Sequence, residues 1–119
     1  MIQMMSKLAV ADNSGAKIVR CIGVVGSKMK AKCGDVVSVS VRECSALNKV
    51  KKGEVMQAVI VRLRQRERRK DGRYVSFADN AVCLLDKDHA MVGSRVLGPV
   101  SARLGSKWEF IKKAAKAVV

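Results

Sequence analysis

The chain has 119 residues, of which 24 are Lys or Arg and 10 are Asp or Glu, so its formal net charge is +14. That length suits one domain with a single modest core. No apolar run approaches the ~20 residues of a membrane span, and the start MIQMMSKLAV lacks the basic segment and long apolar run of a secretory signal. These features disfavour membrane-spanning and secreted proteins. Because so many like charges oppose compaction, we expect a polyanionic partner, with nucleic acid as the first candidate and an anionic membrane surface as the second.

In chain order, the first hundred residues alternate short apolar runs with turns. A run that includes Leu8 and Val10 ends in the turn-formers of residues 12–15. The clearest half-buried strand is VVSVSVREC at 36–44, where valines alternate with polar residues. The other predicted strands are KIVRCIGVV at 17–25, VMQAVIVRLR at 55–64, RYVSF at 73–77 and AVCLL at 81–85. Five or six strands at this spacing predict an all-β fold, a small closed barrel, because closure removes exposed strand edges.

The basic segment 61–74 is a candidate hairpin. Arginines occupy every second position in its first half: Arg62, Arg64, Arg66 and Arg68. The dipeptide Asp71-Gly72 favours a two-residue type I′ turn. That turn would pair Lys70 with Arg73, Arg68 with Val75 and Arg66 with Phe77. A longer turn, which would change this register, stays open.

The last segment, 101–119, is predicted to be helical. Ser106 and Glu109 have the spacing of a capping box at the start of a helix. One helical face would then be apolar and pack on the barrel, with Phe110, Ile111, Ala114, Ala115 and Val118. The lysines lie away from that face, toward solvent or a partner: Lys112, Lys113 and Lys116.

Side chains that could carry catalysis or hold a metal are sparse. Cys21 and Cys83 lie in apolar runs, and Cys33 and Cys44 lie in a loop and at a strand end, with no metal-binding spacing among the four. We expect reduced cysteines without a metal or a disulfide. The single histidine, His89, lies in a polar turn, where a solvated side chain is the usual reading. We therefore expect no enzyme, no cofactor and no small-molecule substrate.

Lys and Arg gather in four clusters: SKMKAK, KVKK, RLRQRERRK and the lysines of the last segment. Several clusters on one small chain favour polyanion binding over mere solubility. Aromatic residues are few, whereas readers of single strands stack bases on several exposed rings. The sequence thus indicates a barrel that binds folded RNA or a duplex by backbone and shape. A stand-alone barrel that binds single-stranded nucleic acid, such as a chaperone or translation factor, stays open as the alternative. A basic protein of a membrane surface is disfavoured.

Several spaced motifs resemble a universal family of large-subunit ribosomal proteins, the one conventionally numbered fourteen, in its bacterial or organellar type. They are MIQ at the start, ADNSGAK at 11–17, KVKKGEV at 49–55, DG with F and N at 71–80, and GPV at 98–100. The family signature resembles the spaced set Ala58–Val61, Asp71-Gly72, Phe77, Asn80 and Cys83-Leu84. Cys83 stands where the family usually has Val, Ala or Leu, and the loop 26–34 is slightly shorter than in typical bacterial members.

The resemblance implies a five-stranded barrel of the OB or SH3-like type with short C-terminal α-helices. It implies a single domain, 1–119, with the barrel at 1–100, a protruding basic hairpin near 62–76 and the helical segment at 101–119. The implied partners are large-subunit rRNA, small-subunit rRNA at intersubunit bridges, the neighbouring large-subunit proteins three and nineteen, and a ribosome-silencing factor. The implied setting is the ribosome of a bacterial cytoplasm, a mitochondrial matrix or a plastid.

The basic clusters and the matched motifs together assign two sets of residues. The expected rRNA contacts are Asn13, Lys17, Lys28, Lys30, Lys32, Lys49, Lys51, Lys52, Arg64, Arg66, Arg68, Arg69, Lys70, Arg73 and Asn80. The expected intersubunit and silencing-factor face holds Ser94, Arg95 and Lys112, since Gly93-Ser94-Arg95 matches the family stretch on that face. In this view the arginine row continues a barrel strand and then reaches RNA phosphates, although Arg62 and Arg64 could instead only cover the barrel's outside.

Overall fold

The computed structural model describes residues 2, 5–26, 30–44 and 51–119, without the side chain of residue 106. The strands are β1 (Lys7–Val10), β2 (Ala16–Val24), β3 (Val36–Cys44), β4 (Val55–Arg62), β5 (Glu67–Arg68), β6 (Tyr74–Val75), β7 (Ala81–Leu85), β8 (Val96–Val100) and β9 (Ala115–Val118). A 3₁₀ turn at Ser106–Trp108 leads into α1 (Glu109–Ala114). In this part of the chain, no helix is long and apolar enough to cross a membrane.

Five strands close into the predicted barrel, in the order β1-β2-β3-β4-β7. Neighbours are antiparallel except at the closure, where β1 runs parallel to β7 and Ala9 pairs with Ala81. Val37, Val39 and Val41 point into the barrel and are buried, so the alternation of β3 is confirmed. The all-β prediction and the closed five-stranded barrel are both confirmed.

A second apolar cluster lies between the outside of the barrel and the C-terminal segment. Every residue of β7 is buried, as are residues 58–61 of β4, because these strands face one core inside and another outside. The outer cluster contains Val59, Val61, Leu85, Val96, Val100, Leu104, Trp108 and Ile111. Burial on both faces explains why these strands are continuously apolar rather than alternating.

The predicted C-terminal helix is wrong in its extent. Only α1 is helical, and β9 then runs parallel to β8, with Val96 opposite Ala115 and Val100 opposite Val118. Trp108 is the residue before α1 and makes no side-chain cap hydrogen bond, and the Ser106 side chain of the predicted capping box lies outside the described part of the structure. Val118 is 44% exposed and Phe110 is 39% exposed, so neither belongs to the predicted buried helical face. Pairing with β8 satisfies the backbone of this last segment, which ends in two β-branched residues.

The register predicted for the hairpin is wrong by one residue. Glu67 pairs with Val75 and Arg68 with Tyr74, and the loop has three residues, 70–72, since the Arg69 amide donates to the Arg73 carbonyl at 2.8 Å. Gly72 adopts φ 87°, the left-handed conformation that such loops require. The arginine row is therefore not one strand, because β4 ends at Arg62 and β5 begins at Glu67.

The cysteines are free thiols in two environments. Cys21 and Cys83 are buried, as predicted, and Cys33 and Cys44 are half-buried. Burial raises the pKa of Cys21 and of Cys83. Cys33 also packs against the barrel core, so its position in a loop does not leave it freely solvated.

Candidate nucleic-acid interface

Three of the predicted RNA contacts meet in one cleft at the base of the hairpin. Lys32, Arg66 and Arg68 line a cleft of about 180 Å³, and Arg103 lines it as well. All four side chains are exposed at the protein surface. The sequence analysis missed Arg103 because it is a single basic residue in SARLG, outside every cluster. Four cations around one concave surface form a site suited to phosphate groups.

The tip of the hairpin continues this basic surface. Lys70 and Arg73 are exposed, and Arg73 Nε donates to Asp71 Oδ2 at 2.6 Å. The backbone N–H of Arg73, together with its side chain, lowers the pKa of the Asp71 carboxyl. Nearer the base, the guanidinium of Arg66 lies 5.1 Å from the centre of the Tyr74 ring, a cation–π contact that orients it.

Arg69 is placed differently from its neighbours. Its side chain is only 15% exposed and forms an ion pair with Glu67 at 3.1 Å. The same Nη2 donates to the backbone carbonyl of Val119 at 2.8 Å. A guanidinium held in this way is turned into the protein, so its placement favours a structural role over a phosphate contact.

A second group of predicted contacts lies at the opposite end of the barrel. Lys51 and Lys52 precede β4. Lys17 is the second residue of β2, beside Ala16, and Ala16 pairs with Cys44, the last residue of β3. Lys30 and Lys32 precede β3, at the end where the hairpin leaves β4. All five lysines are exposed. The predicted contacts at Lys28 and Lys49 lie outside the described residues.

The two asparagines of the predicted RNA set hold backbone segments in place. Asn13 Oδ1 accepts hydrogen bonds from the backbone amides of Ser94 at 2.7 Å and Arg95 at 3.0 Å. Asn80 Oδ1 accepts one from the backbone amide of Arg64 at 2.8 Å. In both cases a side-chain oxygen satisfies loop amides, which shapes the loop that carries an exposed arginine.

Arg62 fastens β8 to the barrel. Its guanidinium binds Asp79 through Nε to Oδ1 at 2.6 Å and Nη2 to Oδ2 at 3.2 Å. Its Nη1 donates to the carbonyls of Leu97 at 2.9 Å and Pro99 at 3.2 Å. The hydrogen bonds to Arg62 lower the pKa of Asp79. Arg62 thus covers the barrel's outside, the second of the two roles considered for it.

The predicted outward face is only partly open. Ser94 and Arg95 are exposed, but Lys112 is half-buried, with its Nζ 3.8 Å from Glu109 Oε1. Because Val96 pairs in parallel with Ala115, Arg95 and the end of α1 lie at the same end of the β8–β9 ladder. The fold therefore brings these two segments to one side of the molecule.

Among the described residues, the exposed aromatic side chains are Tyr74 and Phe110. Trp108 is 3% exposed, and its Nε1 donates to the carbonyl of Gly34 at 3.0 Å. Tyr74 is exposed but is occupied by Arg66. Single-strand binding by base stacking uses several exposed rings, and two offer little surface for it.

The contacts of His89 and of the candidate metal ligands bear on chemistry beyond binding. His89 Nε2 lies 2.7 Å from Gln57 Oε1, at a turn where His89 has φ 60°. In residues 2, 5–26, 30–44 and 51–119, no cluster of His, Cys, Asp and Glu could hold a metal ion.

Fold and surface together define a class, a small and strongly basic β-barrel protein with cations grouped on a hairpin and loops. The family model described as ribosomal protein L14p/L23e matches residues 1–119. A curated relative from Petrotoga mobilis, large ribosomal subunit protein uL14, is 50% identical over 109 residues, which cover 90% of this chain and 89% of the relative. The chain therefore belongs to the ribosomal protein L14p/L23e family. This confirms the resemblance and gives the chain a structural, non-enzymatic role in the ribosome.

Proposed function

We propose that the chain is a constituent of the large ribosomal subunit that binds large-subunit rRNA through phosphate contacts. The observation that carries this proposal is the basic cleft formed by Lys32, Arg66, Arg68 and Arg103. Phosphate contacts of this kind position a protein on folded RNA without reading its sequence. They would also neutralise the self-repulsion of a chain with net charge +14.

Lys17, Lys51 and Lys52, at the opposite end of the barrel, would contact a second segment of the RNA. Two separate basic surfaces suit a protein that is embedded among RNA helices rather than bound to one. The same proposal places Ser94 and Arg95 toward small-subunit rRNA and a ribosome-silencing factor, and places the large-subunit proteins three and nineteen as neighbours. The relative from Petrotoga mobilis favours a bacterial setting over an organelle.

Salt dependence of RNA binding tests the phosphate contacts. Affinity for a large-subunit rRNA fragment should fall by ~0.7–0.9 log units per log unit of salt for each phosphate neutralised. Replacing Arg66, Arg68 and Lys70 by Glu should weaken binding and flatten that slope, by up to about 2 to 3 units. The control carries the same charge change at three exposed residues outside both proposed RNA surfaces, Lys7, Lys87 and Lys113. Equal slopes in the two variants would remove the hairpin from the RNA interface.

Sedimentation tests the assembly. The tagged chain should travel with large subunits and remain there after a moderate-salt wash, whereas the hairpin variant should be depleted from them. A chain that sediments only with free RNA or with small subunits would contradict the proposal.

A further inference from the structure

A buried polar network joins the base of the hairpin to the C-terminal segment. Glu67, on β5, is 6% exposed, and its Oε2 accepts hydrogen bonds from Ser101 Oγ at 2.8 Å and Arg69 Nη2 at 3.1 Å. Ser101 is fully buried, and its Oγ also accepts from Arg69 Nη2 at 3.2 Å. Arg69 reaches the carbonyl of Val119 as well. One carboxylate, one hydroxyl and one guanidinium thus connect two distant parts of the chain.

One backbone hydrogen bond, from the Phe77 amide to the Leu63 carbonyl at 3.0 Å, joins the two segments that lead from the barrel into the hairpin. In the described part of the chain, β5 and β6 pair only with each other. A weaker contact, from Arg103 Nη2 to the Arg68 carbonyl at 3.4 Å, lies beside the network. Beyond that single backbone bond, the angle between hairpin and barrel depends on side-chain contacts at the hairpin base.

Stability alone gives little reason for this network. Taking a charge pair out of water costs about as much as the pair regains, and the best-attested benefit is a unique conformation. Here the pair is not even saturated, because Glu67 Oε1 and Arg69 Nε are buried without a hydrogen-bond partner. Both apolar clusters of the fold form from other residues, so the core does not require these groups.

We propose that Glu67, Ser101 and Arg69 form a latch that holds the basic hairpin in its RNA-binding orientation. The three are positioning residues, and the inference rests on the proposed function. A hairpin that swings freely would lose its freedom only on binding RNA, which lowers affinity, whereas a latched hairpin has already lost it on folding. The sequence analysis assigned Arg69 to rRNA contact. In this proposal Arg69 instead positions the hairpin residues that contact the RNA, Arg66, Arg68 and Lys70.

The direction in which RNA affinity changes in Glu67→Gln distinguishes the latch from a purely electrostatic effect. Glu67→Gln removes a negative charge from the wall of the basic cleft. Coulomb attraction alone predicts tighter binding of a polyanion to that variant. Loss of the latch predicts weaker binding, because Gln keeps the shape but not the charged hydrogen bonds to Arg69 and Ser101. The control Asp71→Asn removes a charge from the exposed tip of the same hairpin and should bind RNA equally or more tightly.

Ser101→Ala tests the latch without any change in charge. The salt slope counts neutralised phosphates, so this variant should keep the wild-type slope while its affinity falls ~5-fold at every salt concentration. Backbone order parameters from NMR should fall at Arg68 and Val75, from the ~0.85 of rigid backbone toward 0.6, and should stay unchanged at Val82 in the barrel.

These experiments distinguish failure of the latch from failure of the proposed RNA contact. If Ser101→Ala and Glu67→Gln keep wild-type affinity and hairpin order, or if both fail to fold, the latch is overturned. If the Glu variant of Arg66, Arg68 and Lys70 leaves the salt slope unchanged, the proposed RNA contact fails instead. A flattened slope in that charge variant, with weaker binding at constant slope in Ser101→Ala, supports both proposals.

Discussion

The backbone of Gly93 lies against the side chain of Asn13, so closely that a Cβ at residue 93 would stand 2.6 Å from Asn13 Oδ1. That oxygen is the acceptor for the amides of Ser94 and Arg95. Behind it, the buried Asp12 accepts from the amide of Leu84 at 2.9 Å. The turn after β1 therefore supports the loop that presents Arg95.

Gly93→Ala should disturb this support. The added methyl must push Asn13 away from the loop amides, and we expect a loss of about 1–3 kcal/mol in the free energy of unfolding. Urea denaturation measures that loss. Gly105→Ala is the matched control, because a Cβ there meets nothing within 4 Å. Equal free energies of unfolding in the two variants would show that Asn13 and the loop move apart without loss of stability.

The ion pair between Arg62 and Asp79 predicts a pH dependence of stability. Because the pKa of Asp79 is lowered in the folded state, its contribution is full above the ordinary Asp value of about 3.9 and disappears as the pH falls below it. Asp79→Asn should lose about 1 kcal/mol or less at pH 7, since the carboxylate is 44% exposed. The difference from wild type, measured by urea denaturation, should shrink below about pH 4.

Asp88→Asn, at an exposed turn position, is the control for that titration. It removes a carboxylate away from Arg62, so a change that it shares with Asp79→Asn does not report on the ion pair. A difference between wild type and Asp79→Asn that stays constant down to pH 2 would show that hydrogen-bond geometry, not charge, holds Arg62.

Cys33 should be slow to alkylate in the folded protein. Burial raises the pKa of its thiol far above the ordinary value, and the negative charge of the adjacent Glu67 carboxylate raises it further. Iodoacetamide labelling at pH 8, followed by mass spectrometry, should leave Cys33 unmodified until urea is added. Glu67→Gln should speed its labelling. Folded-state labelling of Cys33 at the rate of the unfolded chain would contradict this placement.

Arg95→Glu tests the outward face. The variant should enter large subunits normally, because Arg95 belongs to neither basic surface proposed for large-subunit rRNA. It should weaken joining to the small subunit at low magnesium. Gradient profiles of free and joined subunits measure both effects. Lys112→Glu should affect joining less, since Lys112 is half-buried beside Glu109. Depletion of the Arg95 variant from large subunits would instead make this residue an RNA anchor.

Local pattern was sufficient for the barrel. The alternation of Val37, Val39 and Val41 and the apolar run of β7 predicted their strands correctly, because strand periodicity is read within a few residues. The reduced, buried state of Cys21 and Cys83 followed from their apolar neighbours in the same way. The family also followed from motifs at fixed spacing, and the match over residues 1–119 confirmed it.

Tertiary structure decided what each basic residue can do. Arg62, Arg66, Arg68 and Arg69 look alike in the sequence, yet Arg62 binds Asp79 and Arg69 binds Glu67, and only the other two remain exposed. A one-residue change in the hairpin loop determines which side chains turn inward, because successive strand residues face opposite sides. Arg69 is held by Ser101, 32 residues away along the chain, and by Val119, 50 residues away. No local sequence pattern reaches that far.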